Sequence, residues 1–189
     1  MQLILASASP RRRELLGSLG LPFSVVVSGL EEQPWPREKP ASYALRNAAE
    51  KARAVAERHP GSVILAADTI VVLDDHILEK PADAAHAAEM LRRLSGRAHE
   101  VITGVCVWRP VDGGFREAAD AVRTRVSFRA LTDAEIAAYV ATGEPMDKAG
   151  AYAIQGGAAC FVASYDGPYD NVVGLPVKTT QRLLQAVGA

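Results

Sequence analysis

Short apolar runs alternate with stretches of helical period along the first half of the chain. Residues 2–6 read as a strand, and 10–19 as a helix whose Leu15, Leu16 and Leu19 share one face. Gly20 and Pro22 end that helix, and Phe23 to Val27 read as a second strand. Residues 28–39, S-G-L-E-E-Q-P-W-P-R-E-K, form a charged loop with two prolines, longer than a simple connection needs. Ser42 is expected to open a long helix to about Arg58, stopped by His59-Pro60-Gly61. Ser62 to Leu73 is apolar almost throughout and reads as a buried strand that turns at Asp74-Asp75-His76 into Ile77 to Glu79. Residues 82–95 form an alanine-rich helix closed by Gly96.

The second half changes character. Glu100 to Trp108 and Phe115 to Phe128 alternate like two long antiparallel strands around Pro110-Val111-Asp112-Gly113-Gly114. Thr132 and Glu135 form a capping box for a helix to about Thr142. Residues 143–159 are rich in glycine and short polar residues, a second candidate functional loop. Phe161 to Tyr165 reads as a strand and Leu175 to Val187 as a terminal helix. The pattern predicts an α/β domain with a mixed sheet, a long hairpin extending one lobe, and a cleft between two lobes.

Composition narrows the class. A chain of 189 residues fits a single domain over 1–189, and 49% hydrophobic content supplies a sizeable core. The formal net charge of −1 excludes a generally basic nucleic-acid binder, so anion recognition must be local. Cys106 and Cys160 sit in apolar, strand-like context without metal-ligand spacing and read as buried thiols of a reducing compartment. The start M-Q-L-I-L-A-S-A lacks the basic region of a signal peptide, and no run reaches the ~20 apolar residues of a membrane span. A cytoplasmic protein with no membrane partner is expected.

Several residues stand out chemically. S-A-S-P-R-R-R at 7–13 follows a strand and opens a helix, with Ser9 as N-cap and Pro10 at the first helical position. Arginines there oppose the helix dipole, which suits either a phosphate at the helix start or a solvated basic turn. Asp68 interrupts the apolar strand V-I-L-A-A-D-T-I-V-V-L. Unpaired, it would cost several kcal/mol or more. It is therefore a structural acid with a partner, or a general base or metal ligand at the strand's end. Asp68 and Thr69 face opposite sides of a regular strand, so a site using both requires the chain to bulge or leave the sheet. Lys51 on the long helix and Lys80 in L-E-K-P are either solvated lysines or anion contacts. Glu31-Glu32 either add solubility or offer one carboxylate to a cation bound to phosphates. In D-K-A-G-A-Y-A-I-Q-G-G the amide of Gln155 carries a donor and an acceptor that match a uracil or thymine imide edge, or cytosine after a flip, unless the segment is an ordinary glycine loop.

Taken together, S-A-S-P-R-R (7–12), G-L-E-E (29–32), E-K-A-R (50–53), A-A-D-T-I-V (66–71), L-E-K-P (78–81), T-G-V (103–105), D-K-A-G-A-Y-A-I-Q-G (147–156) and V-V-G-L-P (172–176) resemble the Maf family of nucleoside triphosphate pyrophosphatases. The blocks occur in family order over nearly the whole chain. The resemblance implies a Maf/ITPase-like α/β fold, a mixed twisted sheet flanked by helices with two lobes around an active-site cleft. It implies hydrolysis of a nucleoside triphosphate to the monophosphate and pyrophosphate, cleaning the nucleotide pool, with a divalent metal cation (Mg2+ or Mn2+) as cofactor. Asp68 matches the proton acceptor. Ser7, Arg11, Arg12, Lys51 and Lys80 match phosphate-gripping positions, and Glu32 with Asp68 the metal-dependent site. Arg13 falls outside the motif and is expected on the surface. A-D-T with S-P-R-R and I-Q-G looks like the dTTP- and UTP-preferring branch, with Arg11, Thr69 and Gln155 setting the preference. The branch acting on 7-methyl-GTP tends to carry an S-P-W-type start and no late Gln. The family often forms homodimers and has been tied to inhibition of septum formation, so a nucleotide-binding regulator is the alternative reading.

Overall fold

The computed structural model describes residues 1–30 and 32–189. Strand β1 (Leu3–Leu5) leads through helix α1 (Pro10–Gly17) to β2 (Phe23–Val25), and α2 (Pro40–Ala56) connects to β3 (Val63–Leu73). β4 (His76–Leu78), α3 (Ala84–Leu94), β5 (Ala98–Val111) and β6 (Gly114–Phe128) follow. The chain ends with α4 (Asp133–Ala141), three short 3-10 turns, β7 (Val162–Asp166), α5 (Tyr169–Val173) and α6 (Val177–Val187). The strands form one seven-stranded mixed sheet in the order β2-β1-β3-β5-β6-β7, with β4 paired to β3. β1 runs parallel to both β2 and β3, with Leu3 opposite Phe23 and Val63, whereas β4 and β7 pair antiparallel with β3 and β6. The chain divides into two compact units, through both of which β3, β5 and β6 pass.

In the first unit (1–68, 103–122 and 174–189) the strands bury both faces, so alternate residues feed two apolar layers. Leu5, Val63, Leu65, Ala67, Val105 and Val107 pack with Leu16 of α1 and Leu183, Leu184 and Val187 of α6. Ile4, Ala6, Ile64, Ala66 and Cys106 pack with Ala48, Ala52, Val55 and Ala56 of α2. Ile64 and Ala66 share their face with the next even position, Asp68, and that face is the one covered by α2. α2 can lie close because four of its eight buried residues are alanine and because β5 has Gly104 beneath it. A Cβ at Gly104 would stand 2.4 Å from the Ala44 carbonyl oxygen.

The second unit (69–102 and 123–173) is organised around an aromatic cluster. The Phe128 ring meets those of His99, Tyr152 and Phe161 edge to face, and Tyr139 meets Phe161 in the same way. His99 Nε2 and the Tyr152 hydroxyl share a 2.8 Å hydrogen bond, and burial pushes the His99 pKa down to about 4, so the ring is neutral at pH 7. Asn171 of α5 donates from Nδ2 to the Val101 carbonyl and to Thr124 Oγ1, each at 3.0 Å.

Several boundaries differ from expectation. α2 begins at Pro40, not Ser42, because proline at the first helical position has no N–H to leave unpaired. β5 and β6 are longer than expected, since a two-residue turn at Asp112-Gly113, with Gly113 at positive φ, suffices to join them. Segment 143–159 is not an open loop: it forms 3-10 turns at Glu144–Asp147, Ala149–Ala151 and Gly157–Phe161, and Ala151 to Ile154 are buried. Cys106 is buried as expected, but Cys160 is exposed, turned outward by the last of these turns. The expected terminal helix starts at Val177, and the separate helix α5 before it was not foreseen. The capping box of Thr132 and Glu135 and the exposure of Arg13 match expectation. No helix of the described residues is long and apolar enough to cross a membrane.

The contact beneath α2 is testable. Gly104→Ala is expected to force α2 outward and to destabilise the fold by about 1–3 kcal/mol, as overpacking does, read as a lower urea midpoint at unchanged slope.

Candidate active site

Asp68 is 3% exposed and lies on the α2 side of β3. Residues four apart on a helix share a face, so Asn47 and Lys51 of α2 both point at it. Asn47 Nδ2 donates to Asp68 Oδ2 at 3.0 Å, and Lys51 Nζ donates to Oδ1 at 2.7 Å. Lys51 is itself buried and pairs also with Glu32. One ammonium therefore bridges two carboxylates that the sequence separates by 36 positions (68 − 32). Glu31 lies outside the described residues.

The loop that carries Glu32 is fastened by Arg46, one position before Asn47. Its guanidinium pairs with Glu38 at 2.7 Å, donates to the Gln33 carbonyl at 2.9 Å and covers the Trp35 ring at 4.2 Å. The bonds between the two hold the Glu38 carboxyl below the usual carboxylate range and raise the Arg46 pKa.

At the start of α1, Ser9 caps the helix by accepting from the Arg12 N–H, and Ser7 Oγ accepts from the Ser9 N–H at 3.2 Å and from Arg12 Nη1 at 3.4 Å. Arg12 Nε donates to the Gly174 carbonyl at 2.8 Å. The V-V-G-L-P segment thereby holds the arginine of S-P-R-R. Burial lowers the Arg12 pKa, while the charges of Asp68 and Glu32 act in the opposite sense and favour the cation. Arg12 is thus not part of a solvated basic turn. Arg11 is half-buried beside it. The first unit thus joins Glu32, Lys51 and Asp68 and adds Asn47, and it joins Ser7 to Arg12, whose charge feels those of Asp68 and Glu32.

Its donor set is all oxygen. Two carboxylates and the buried Asn47 Oδ1, which has no hydrogen-bond partner among the described residues, suit a hard divalent cation. Three His, Cys, Asp or Glu side chains are not grouped to hold such an ion anywhere among the described residues, so water or ligand oxygens would complete its shell.

The second unit carries Thr69, Lys80 and Gln155. Thr69 is half-buried in β3, which runs unbroken from Val63 to Leu73, so the chain does not leave the sheet between Asp68 and Thr69. Lys80 and Gln155 are exposed. Three motifs meet at Gly150: its N–H donates to the Glu79 carbonyl at 3.1 Å, and a Cβ there would stand 2.8 Å from Val71 of β3. With φ at +66° as well, the position requires glycine.

Sequence reasoning missed Asn47 and Arg46. Asn47 had a signal, a poor helix former four residues before a candidate lysine in an alanine-lined stripe. Arg46 had none, because its partners lie across a loop.

The Maf-like protein family model matches residues 2–187, and the chain belongs to that family. A dTTP/UTP pyrophosphatase of Geobacter metallireducens is 53% identical over 188 residues, covering 100% of this chain and 97% of the relative. A dTTP/UTP pyrophosphatase of Anaeromyxobacter dehalogenans is 54% identical over 187 residues, covering 99% of this chain and 94% of the relative. Among solved structures, a HAM1 protein from Coxiella burnetii shares the fold with a TM-score of 0.52 at 12% identity, over 98% of this chain and 99% of that one.

The Asp68–Lys51 pair has a stability signature. Lys51→Met leaves a buried carboxylate without its cation and is expected to cost about 3 kcal/mol, the low end for breaking a buried pair because Asn47 and Arg12 remain nearby. Adding Asp68→Asn should restore most of the loss. Denaturant unfolding of the two variants, with equal midpoints as the contrary result, decides it.

Proposed function

We propose that the chain is a metal-dependent nucleoside triphosphate pyrophosphatase that hydrolyses dTTP and UTP to the monophosphate and pyrophosphate. The observation that carries this reading is a buried carboxylate gripped by a cation, within a chain about half identical over its length to pyrophosphatases of that name.

The chemistry follows from charge. Cleaving a phosphoanhydride calls for little covalent help from the protein and depends on positioning and on neutralising the phosphate oxygens. Arg11, Arg12, Lys51 and Lys80 are the cations assigned to that task, with Ser7 donating beside Arg12. Both oxygens of Asp68 are engaged by Lys51 and Asn47. A triphosphate competes for the Lys51 ammonium, and drawing it away leaves Oδ1 a free lone pair with which to orient and deprotonate the attacking water. Asn47 keeps the carboxylate from rotating meanwhile. Glu32 and Asp68 are the residues that would hold Mg2+ or Mn2+, which when bound adds positive charge against the phosphate oxygens. Arg11 and Gln155 are assigned to base preference, the Gln155 amide matching the imide edge of uracil or thymine; Thr69, next to Asp68 on an unbroken strand, faces the other side of the sheet and is left out of the assignment.

Pyrophosphate release from dTTP, UTP, CTP, GTP and 7-methyl-GTP, with Mg2+ or Mn2+, tests the reading. The two imide-bearing pyrimidines should lead, and tight nucleotide binding without turnover would instead mark a regulator. Asp68→Asn should lower kcat by at least ~100-fold, the lower range for losing an acid–base group. A folded Asp68→Asn protein with near-normal turnover removes Asp68 from this role.

A further inference from the structure

Gln155 is exposed, yet the backbone around it is fixed. Two residues before it, the Ala153 N–H donates to the Tyr139 hydroxyl at 3.1 Å. Two residues after it, the Gly157 N–H donates to Glu144 Oε2 at 2.9 Å. The Glu144 carboxylate lies flush against the intervening Gly156, where a Cβ would stand 1.6 Å from Oε1. Tyr139 also covers Gly157, where a Cβ would stand 3.1 Å from the ring. Its ring in turn is locked edge to face against Phe161, and Tyr152, next to Ala153, is held by His99.

We propose that Tyr139 and Glu144 are positioning residues for base recognition, clamping the 153–157 backbone so that the Gln155 amide reaches the base from one fixed point of the chain. This rests on Gln155 as the base contact. The physical need is specific. An amide presents a donor and an acceptor side by side, so it tells one base edge from another only where amide and base meet in register. An exposed glutamine on a mobile backbone shifts with either edge and loses that register. Here both flanking N–H groups end on side chains of one short stretch, the last turn of α4 and the 3-10 turn after it. The two side chains contact no nucleotide in this scheme and act through Gln155 alone.

The test is a double-mutant cycle read on base selectivity, the UTP-to-CTP ratio of kcat/KM. Tyr139→Phe deletes one hydroxyl and keeps the ring in its cluster. Glu144→Ala deletes the other acceptor, and Glu144→Gln keeps an oxygen in its place. Tyr139→Phe and Glu144→Ala are each expected to lower the ratio about five- to tenfold, the scale of one hydrogen bond, with KM for UTP rising more than kcat falls. Glu144→Gln should recover most of the ratio. In a Gln155→Ala background, itself of reduced selectivity, neither change should lower the ratio further. An undiminished loss in that background assigns both residues a general structural role and overturns the proposal. If Gln155→Ala lowers the ratio but Tyr139→Phe and Glu144→Ala leave it at wild type, the clamp is overturned and Gln155 stands. If Gln155→Ala itself leaves the ratio unchanged, the base contact fails and the clamp with it.

Discussion

A carboxylate placed in the middle of an apolar strand must be compensated where it stands, and the compensation for Asp68 comes from one helix. Asn47 and Lys51 reach its two oxygens because they are four residues apart on α2, and α2 covers the face of β3 that even-numbered residues share. The geometry tolerates little change in helix height, since both bonds are close to ideal length. What fixes the height is the absence of side-chain bulk: alanines on the helix and Gly104 on β5. Chemistry and packing are therefore set by the same few ångströms.

Much of this was legible in the sequence. The alternation of strand and helix located nearly every element, and the two-residue period of the strand set Asp68 and Thr69 on opposite faces. Lys51 gave no such sign, because a lysine amid E-K-A-R on a long helix looks the same whether it faces water or an acid; only the motif resemblance separated the two. Arg46 and Glu38 were invisible for a further reason. Their pairing joins a loop to a helix, and no periodicity links positions across an irregular segment. Residues 143–159 were misjudged as open because glycine and short polar residues dominate them. The apolar stretch Ala151 to Ile154 inside that segment carries it into the core of the second unit.

The two units use unlike means to hold functional groups still. In the first, charge holds charge: Lys51 pairs with Asp68 and Glu32, and Arg46 with Glu38. Such a constellation is suited to meeting an incoming polyanion, because its cations have interchangeable partners. In the second, neutral rings and a single carboxylate hold backbone N–H groups around an exposed amide.

The alanine stripe of α2 carries a consequence for how this chain tolerates change over generations. A methyl added anywhere along Ala44, Ala48 or Ala52 raises the helix as a shim raises a beam, and draws the ammonium from the carboxylate as it opens the apolar layer. Substitutions there would therefore erode endurance and turnover together, because the layer that seats the helix also sets the reach of Lys51 and Asn47.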